Sequence, residues 1–393
     1  TGAKTLYIGN DGGLAVMRDP LRATPPTTSD LSYVDDRHNR GVASHLCYNI
    51  SSTTAPLPAD GRYHVSIGTQ DNGTRFRTDA GSGLAASGLF DTAAYGDGFG
   101  TLYHPYLASY VLGSINGNLY RTTDGTTLGL PVTPGQLLFG VPVIVDGSDV
   151  TGNGVLTLGS DALYRSHDFG QSFTTVPQNG VVAGFYRYHA AVAASDGNTM
   201  AIVGDNVAPS PGFITSNGGA SWTQMGSMDI SAFARFVWFD TNNANTLYVT
   251  SLTQDPTVHH LFKSTNKGVS FTPVDTTTNG LPFGLPILAV KNDPFDSNTL
   301  YVATDLGMYA SSNGGTTWSR FGSGLPLVRV TDFWIAPDDS VMRVATYGRG
   351  VWEIALSGHS ANTITATIAS PTADQSVAPG TSLSFTGSAT DSG

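Results

Sequence analysis

Short runs of apolar residues, continuous or alternating with polar ones and about four to eight residues long, recur along the whole chain. Gly, Ser, Thr, Asn and Asp separate them, which predicts strands joined by tight turns. No stretch keeps the period of an amphipathic helix. Residues 286–321 show the unit. Pro286-Ile287-Leu288-Ala289-Val290 predicts a strand A, Leu300-Tyr301-Val302-Ala303-Thr304 a strand B, and Met308-Tyr309-Ala310 a strand C. Trp318 begins a strand D. Equivalent A strands are expected at 45–50, 99–104, 141–145, 189–193, 236–239, 287–290 and 332–335. One further B–C hairpin opens the chain, Leu6-Tyr7-Ile8-Gly9 and then Leu14-Ala15-Val16.

Between strands C and D a polar turn repeats. Ser166-His167-Asp168-Phe169-Gly170-Gln171-Ser172-Phe173 and Ser311-Ser312-Asn313-Gly314-Gly315-Thr316-Thr317-Trp318 are its clearest copies. Segments 215–222 and 264–271 match, and a worn copy lies at Thr122-Thr123-Asp124-Gly125. The central Asp or Asn stands at 124, 168, 217, 266 and 313, a spacing of 44 to 49 residues. Its side chain can accept backbone N–H bonds, the Gly two positions on permits a positive φ, and the aromatic ring packs beside the turn. One such turn per repeat of this length predicts the blades of a β-propeller. The turn itself is expected to be structural.

The repeat resembles the Asp-box, or BNR, turn of sialidases, sortilin-type receptors, xyloglucanases and photosystem-assembly propellers. Gly9-Asn10-Asp11-Gly12-Gly13, Gly68-Thr69-Gln70-Asp71-Asn72-Gly73-Thr74, Gly96-Asp97-Gly98-Phe99 and Ala345-Thr346-Tyr347-Gly348-Arg349-Gly350-Val351-Trp352 extend the likeness over about residues 4 to 355. They are similar to secreted bacterial propellers grouped with sortilin-type and BNR proteins. The resemblance implies an exported, multi-domain protein and supplies no reaction, because its members do unrelated things.

The expected fold is all-β: a seven- or eight-bladed propeller of four-stranded blades over residues 1–357. A linker and a truncated immunoglobulin-like segment follow over 358–393, too short for a sandwich of about 100 residues. The last repeat lacks an obvious strand D and the first hairpin lacks a strand A. The N-terminal strands are therefore expected to pair with the last blade and close the ring, since an open edge leaves backbone groups unpaired.

Composition narrows the partners. Charged residues make up 12% of the chain and the net charge is −11, which argues against nucleic acid or an anionic membrane surface. No apolar run is long enough to span a bilayer, so no membrane insertion is expected. Thr1 does not look like a translation start, and a mature or trimmed product, secreted or at the cell surface, is expected. The one cysteine, Cys47, excludes an internal disulfide and is expected to be buried and inert.

Candidate chemistry gathers where B–C and D–A loops meet around a propeller's channel. The B–C turns carry Asp11, Asp71, Asn116, Asp161, Asp205, Asp255, Asp305 and Arg349. This polar funnel suits sugar hydroxyls or a cation, and Asp and Asn also favour turns for their own sake. Asp71, Asp97 and Asp11 are the candidate catalytic carboxylates, which would need a separation of about 5 to 10 Å. Asn72, Arg187, His189, Tyr347 and Arg349 are candidate ligand-binding residues. Arg187, Arg235, Arg329 and Arg349 could converge, but no sialidase set of three arginines with a Tyr–Glu pair is evident. Xyloglucanases of this resemblance use two propellers, and this chain has one. Asp146, Asp149 and Asn153 place several oxygen donors close together and could hold calcium, although a plain A–B turn explains them too. His259-His260 is expected in a surface loop.

Three functions fit this reading. The first is an extracellular propeller that binds a glycan or protein ligand at its channel mouth. The second is a glycoside hydrolase using paired carboxylates, and the third a structural module of a surface assembly.

Overall fold

Seven small antiparallel sheets succeed one another and close into a ring, a seven-bladed β-propeller. The computed structural model describes residues 5–10, 13–18, 31–33, 46–54, 63–80, 91–94, 96–107, 109–123, 129, 131–135, 137–138, 140, 142–160, 162–229, 234–356, 365–370 and 386–390. Blade I is Cys47–Ser52, Tyr63–Thr69, Gly73–Ala80 and Asp91–Ala94. Blade II is Gly98–Tyr103, Val111–Ile115 and Asn118–Thr122. Blades III to VI have four strands each and begin at Val143–Val145, Tyr186–Ala193, Ala234–Asp240 and Ile287–Asn292. Blade VII is Val330–Ile335, Val341–Thr346 and Val351–Ala355. Every expected A strand falls on the first strand of a blade.

The B strands are buried along their length, as in Val111–Ile115, Val155–Leu158 and Leu300–Thr304. Each lies between two neighbouring blades, so both its faces are covered and its sequence reads as a continuous apolar run. One hydrophobic cluster fills each of the seven blade–blade interfaces. The cluster of Cys47, Ile50, Val65 and Ile67 with Ala345 joins blade I to blade VII. Cys47 is fully buried there, and burial pushes its thiol up to about 12.

The ring closes differently from the sequence expectation. Thr5–Asn10, Gly13–Arg18 and Leu31–Tyr33 form a sheet of their own, and among the described residues none of them pairs with blade VII. Blade VII packs directly on blade I instead. Leu46 bridges Tyr347, Thr331 Oγ1 donates to the Cys47 carbonyl at 2.8 Å, and Arg343 Nη1 donates to Ser52 Oγ at 2.6 Å. Face-to-face burial of side chains thus replaces a shared sheet at the seam, and the extra hairpin makes no eighth blade. Thr365–Ser370 pairs with Thr386–Thr390. The rest of the expected immunoglobulin-like segment, and the worn turn at Asp124, lie outside the described residues.

The four remaining polar turns share one bonding pattern. In the first, Ser172 N and Oγ donate to the two Asp168 oxygens at 2.8 and 2.6 Å, and Ser166 Oγ donates to Asp168 Oδ1 at 2.8 Å. Gly170 N in turn donates to Ser166 Oγ at 2.8 Å. Asn217, Asn266 and Asn313 accept the same backbone N–H bond from Ser221, Ser270 and Thr317, and their Nδ2 groups donate to those residues' hydroxyls. Two successive residues turn left-handed, Phe169 at φ 52° and Gly170 at φ 75°. Burial pushes the Asp168 carboxyl up, but its hydrogen bonds from Ser172, Ser166 and Gln171 hold it below the usual carboxylate range. Asp168→Ala removes these acceptors and is expected to cost about 1–3 kcal/mol in urea unfolding. Ligand binding by the folded fraction should be unchanged; its loss at an unaltered melting temperature would refute the structural role.

Candidate functional site

The start of each strand A lies beside the end of strand B, and so at the end of the ring that carries the B–C turns. There the A–B register slips by one residue in six of the seven blades. In blade I, Cys47 pairs with Thr69 and Asn49 with Gly68, leaving Tyr48 as the extra residue. Tyr188, Arg235, Leu288 and Thr331 are the extra residues of blades IV to VII. A bulge of this kind re-aims a side chain. All five of these residues line one central cavity of about 520 Å³, together with Asn49, Phe99, Arg187, His189, Phe236, Arg329 and Tyr347. That volume is in the range of sites for small molecules or peptide side chains.

Two aromatic groups face this space. Tyr48 stacks on Phe99 at 4.7 Å and tilts against Tyr347 at 5.7 Å. Tyr48 Oη donates to Gln70 Oε1 at 2.9 Å, and Tyr347 Oη donates to the same oxygen. From blades IV and V, His189 stacks on Phe236 at 4.2 Å, and Tyr186 lies 5.1 Å from Tyr188. Tyr188 Oη donates to Asp205 at 3.0 Å. Burial, with the charges of Arg235 and Lys291 beside it, lowers His189 to about 3. The unfolded chain protonates it near 6.5. Between those values the unfolded state binds more protons, so stability should fall as pH drops below about 6.5. The slope from this group is at most about 1.4 kcal/mol per pH unit. Denaturation of His189→Phe and the parent at pH 4.5 and 7.5 should show a smaller pH effect in the variant.

Lys291 and Asp332 pair at 3.0 Å across blades VI and VII, and Asn49 Nδ2 donates to the second Asp332 oxygen at 2.5 Å. The Lys291 ammonium sits 4.9 Å from the Phe333 ring. Arg187 is buried; its guanidinium donates to the Phe185 and Ser160 carbonyls and to Gln178. Arg329 chelates Asp305 at 2.6 and 3.0 Å on the rim. Arg235 is exposed, and its guanidinium lies over the Tyr188 ring at 5.8 Å.

The candidate carboxylates have other places. Asp71 sits exposed at its turn with φ 57°, and its N–H donates to Asp97 Oδ1 at 3.0 Å. Asp97 N–H in turn donates to Asn116 Oδ1 at 2.9 Å. Neither aspartate lines the cavity, and Asp11 and Asp161 lie outside the described residues. The glycines flanking Asp71 and Asp97 have a packing reason. A Cβ on Gly98 would stand 2.3 Å from the Gly73 carbonyl oxygen, where the backbones of blades I and II meet. Asn72 accepts from Arg75 and donates to the Gln70 carbonyl, closing its own turn. Arg349 is exposed and outside the cavity lining.

Asp146, Asp149 and Asn153 fall in the A–B turn of blade III and do not fit a calcium site. The fully buried Asp146 accepts from Arg165 Nε at 2.8 Å and from Ser148 Oγ at 2.6 Å. Asp149 accepts from the hydroxyl and N–H of Thr151, and Asn153 Oδ1 faces His104 Nε2 at 3.3 Å. Their oxygens diverge to different donors. The His259-His260 segment is not wholly superficial: His260 is fully buried, its N–H on Asp275 Oδ2 at 2.7 Å and its Nε2 3.0 Å from the Thr253 carbonyl. No helix long and apolar enough to cross a membrane occurs among the described residues.

No protein-family model matches the chain, and no curated protein does. Solved structures do. The chain is similar to a GH74 xyloglucanase from Xanthomonas campestris, with TM-score 0.57 and 16% identity over 80% of this chain and 52% of that one. It thus spans about half of that enzyme. It is also similar to YCF48 from Cyanidioschyzon merolae, TM-score 0.54 and 16% identity, covering 79% of this chain and 95% of that one. A third likeness is to the extracellular domain of a hybrid two-component system from B. thetaiotaomicron, TM-score 0.52 and 10% identity, over 82% of this chain and 40% of that one. At these identities the likeness shows the fold.

Proposed function

We propose that this propeller is a binding module of a secreted or surface protein, holding a glycan or protein ligand in the mouth of its central channel without turning it over. One observation carries the reading. The repeated bulge turns aromatic and basic side chains from several blades into one cavity, while Asp71 and Asp97 stand outside its lining. Rings on opposite walls supply contact area at low entropic cost, and the arginines supply direction. Asp97 accepts a backbone N–H and so acts as a loop brace.

Glycan and peptide arrays on the parent and on Tyr188→Ala test this. Tyr188→Ala should weaken the selected ligands about 5- to 30-fold, since a buried ring contact contributes on the order of 1–2 kcal/mol. Unaltered binding by Tyr188→Ala would move the ligand elsewhere. Release of reducing sugar from a polysaccharide, abolished by Asp71→Asn or Asp97→Asn, would replace the reading by a glycoside hydrolase.

A further inference from the structure

The cations of this chain are few, and several of those described have carboxylate partners. Acids outnumber Lys and Arg by 30 to 19. Arg165 pairs with Asp146, Arg343 with Glu353, Arg329 with Asp305 and Lys291 with Asp332. Arg235 differs. Among the described residues it has no hydrogen bond and no ion pair, only the Tyr188 ring beneath its guanidinium at 5.8 Å. It projects into the cavity from a bulge. It is exposed at the channel mouth with no counter-charge, and a ligand anion would supply one.

The rest of the lining tells what kind of anion. The cavity is rich in donors and poor in open acceptors. Asp332 already accepts from Lys291, Asn49 and the Phe333 N–H. Asn49 Oδ1 accepts the Thr101 N–H at 3.0 Å. His189 Nδ1 faces the Val237 N–H, which leaves its Nε2 to carry the proton and donate. Sugar hydroxyls need acceptors as well as donors, whereas a carboxylate only accepts. Leu138, Val143, Ile144, Leu252 and Leu288 complete the wall with apolar surface.

We infer that the channel ligand is an acidic peptide whose carboxylate docks on Arg235 while a neighbouring apolar side chain fills the cavity. The inference rests on the binding reading above and narrows its ligand class. A planar guanidinium meets a carboxylate with two parallel hydrogen bonds, and a ligand that closes over the pair would shield them from water. The carboxylate can be an Asp or Glu side chain or a C-terminus; both have the same chemistry.

A library of N-acetylated hexapeptides, made as free acids and as C-terminal amides, tests it on the parent, Arg235→Gln and Arg235→Lys. Selected peptides should carry a carboxylate next to an apolar residue. Amides selected for Asp or Glu would assign a side chain, and free acids lacking both would assign a C-terminus. Conversion of that carboxylate to an amide should weaken binding at least tenfold in the parent. Arg235→Gln should weaken the acid forms at least tenfold and bind acid and amide forms alike, with an unchanged melting temperature. Arg235→Lys should retain part of the preference. Equal binding of acid and amide peptides by the parent would overturn the inference and leave the binding reading standing. Binding of oligogalacturonate in place of any peptide would overturn the peptide assignment alone. Failure of every peptide and glycan to bind would overturn both.

Discussion

Arg343→Ala is expected to destabilise the propeller by about 3–5 kcal/mol in urea unfolding, the largest effect of any surface-distant polar change. Arg343 is 1% exposed. Its Nε and Nη2 bond Glu353 at 3.0 and 2.9 Å within blade VII, and its Nη1 reaches Ser52 of blade I. The guanidinium lies between the rings of Tyr63, at 4.4 Å, and Trp334, at 5.3 Å. Alanine would leave Glu353 without this cation and open a void at the seam of the ring. The Ser52 bond spans 291 positions of sequence, so it forms only after most of the chain is ordered. The double variant Arg343→Met with Glu353→Gln keeps volume and removes both charges, and should recover more than half of the loss. A loss under 1 kcal/mol for Arg343→Ala would show that the seam is held by its apolar cluster alone.

Trp318→Ala should cost a comparable 3–5 kcal/mol, roughly the value for emptying a large buried aromatic site. Trp318 is the last residue of the polar turn in blade VI. It is 6% exposed, packs with Leu281 and Tyr309, and touches Val274 of the preceding blade. Its Nε1 donates to the Val274 and Gly315 carbonyls, both at 3.1 Å. Trp222 repeats the arrangement two interfaces earlier, with Nε1 on the Pro177 carbonyl at 2.8 Å. Phe271 holds the same place in its turn but is half-buried and has no donor. Differential scanning calorimetry should therefore rank Trp318→Ala as more damaging than Phe271→Ala. The reverse order would mean that the turn aromatic does not tie neighbouring blades.

Much of the architecture was legible in the residues. The strand pattern placed all seven A strands, and the Ser/Thr-x-Asp/Asn-x-Gly signature placed turns whose bonds are local, within four positions of the central residue. Local chemistry of that kind acts before any long-range contact forms. The site was read less well. Arg187, His189 and Tyr347, named as candidate ligand residues, line the cavity, together with Tyr186 and Tyr188, which were not named. Asp71 and Asp97 stood out through their glycines, which instead let two backbones approach.

The chain by itself determined the strands, the tight turns and the propeller class, because these follow from short apolar runs, continuous or alternating, and from short-range hydrogen bonding. Only the tertiary structure decided the blade number, the seam and the cavity. Ring closure depends on blade VII meeting blade I across nearly the whole chain, which no local signal encodes. The cavity depends on a one-residue slip between paired strands. That slip turns Tyr48, Tyr188, Arg235 and Thr331 inward although simple alternation gives no sign of it, because register belongs to a pair of strands and not to either sequence alone.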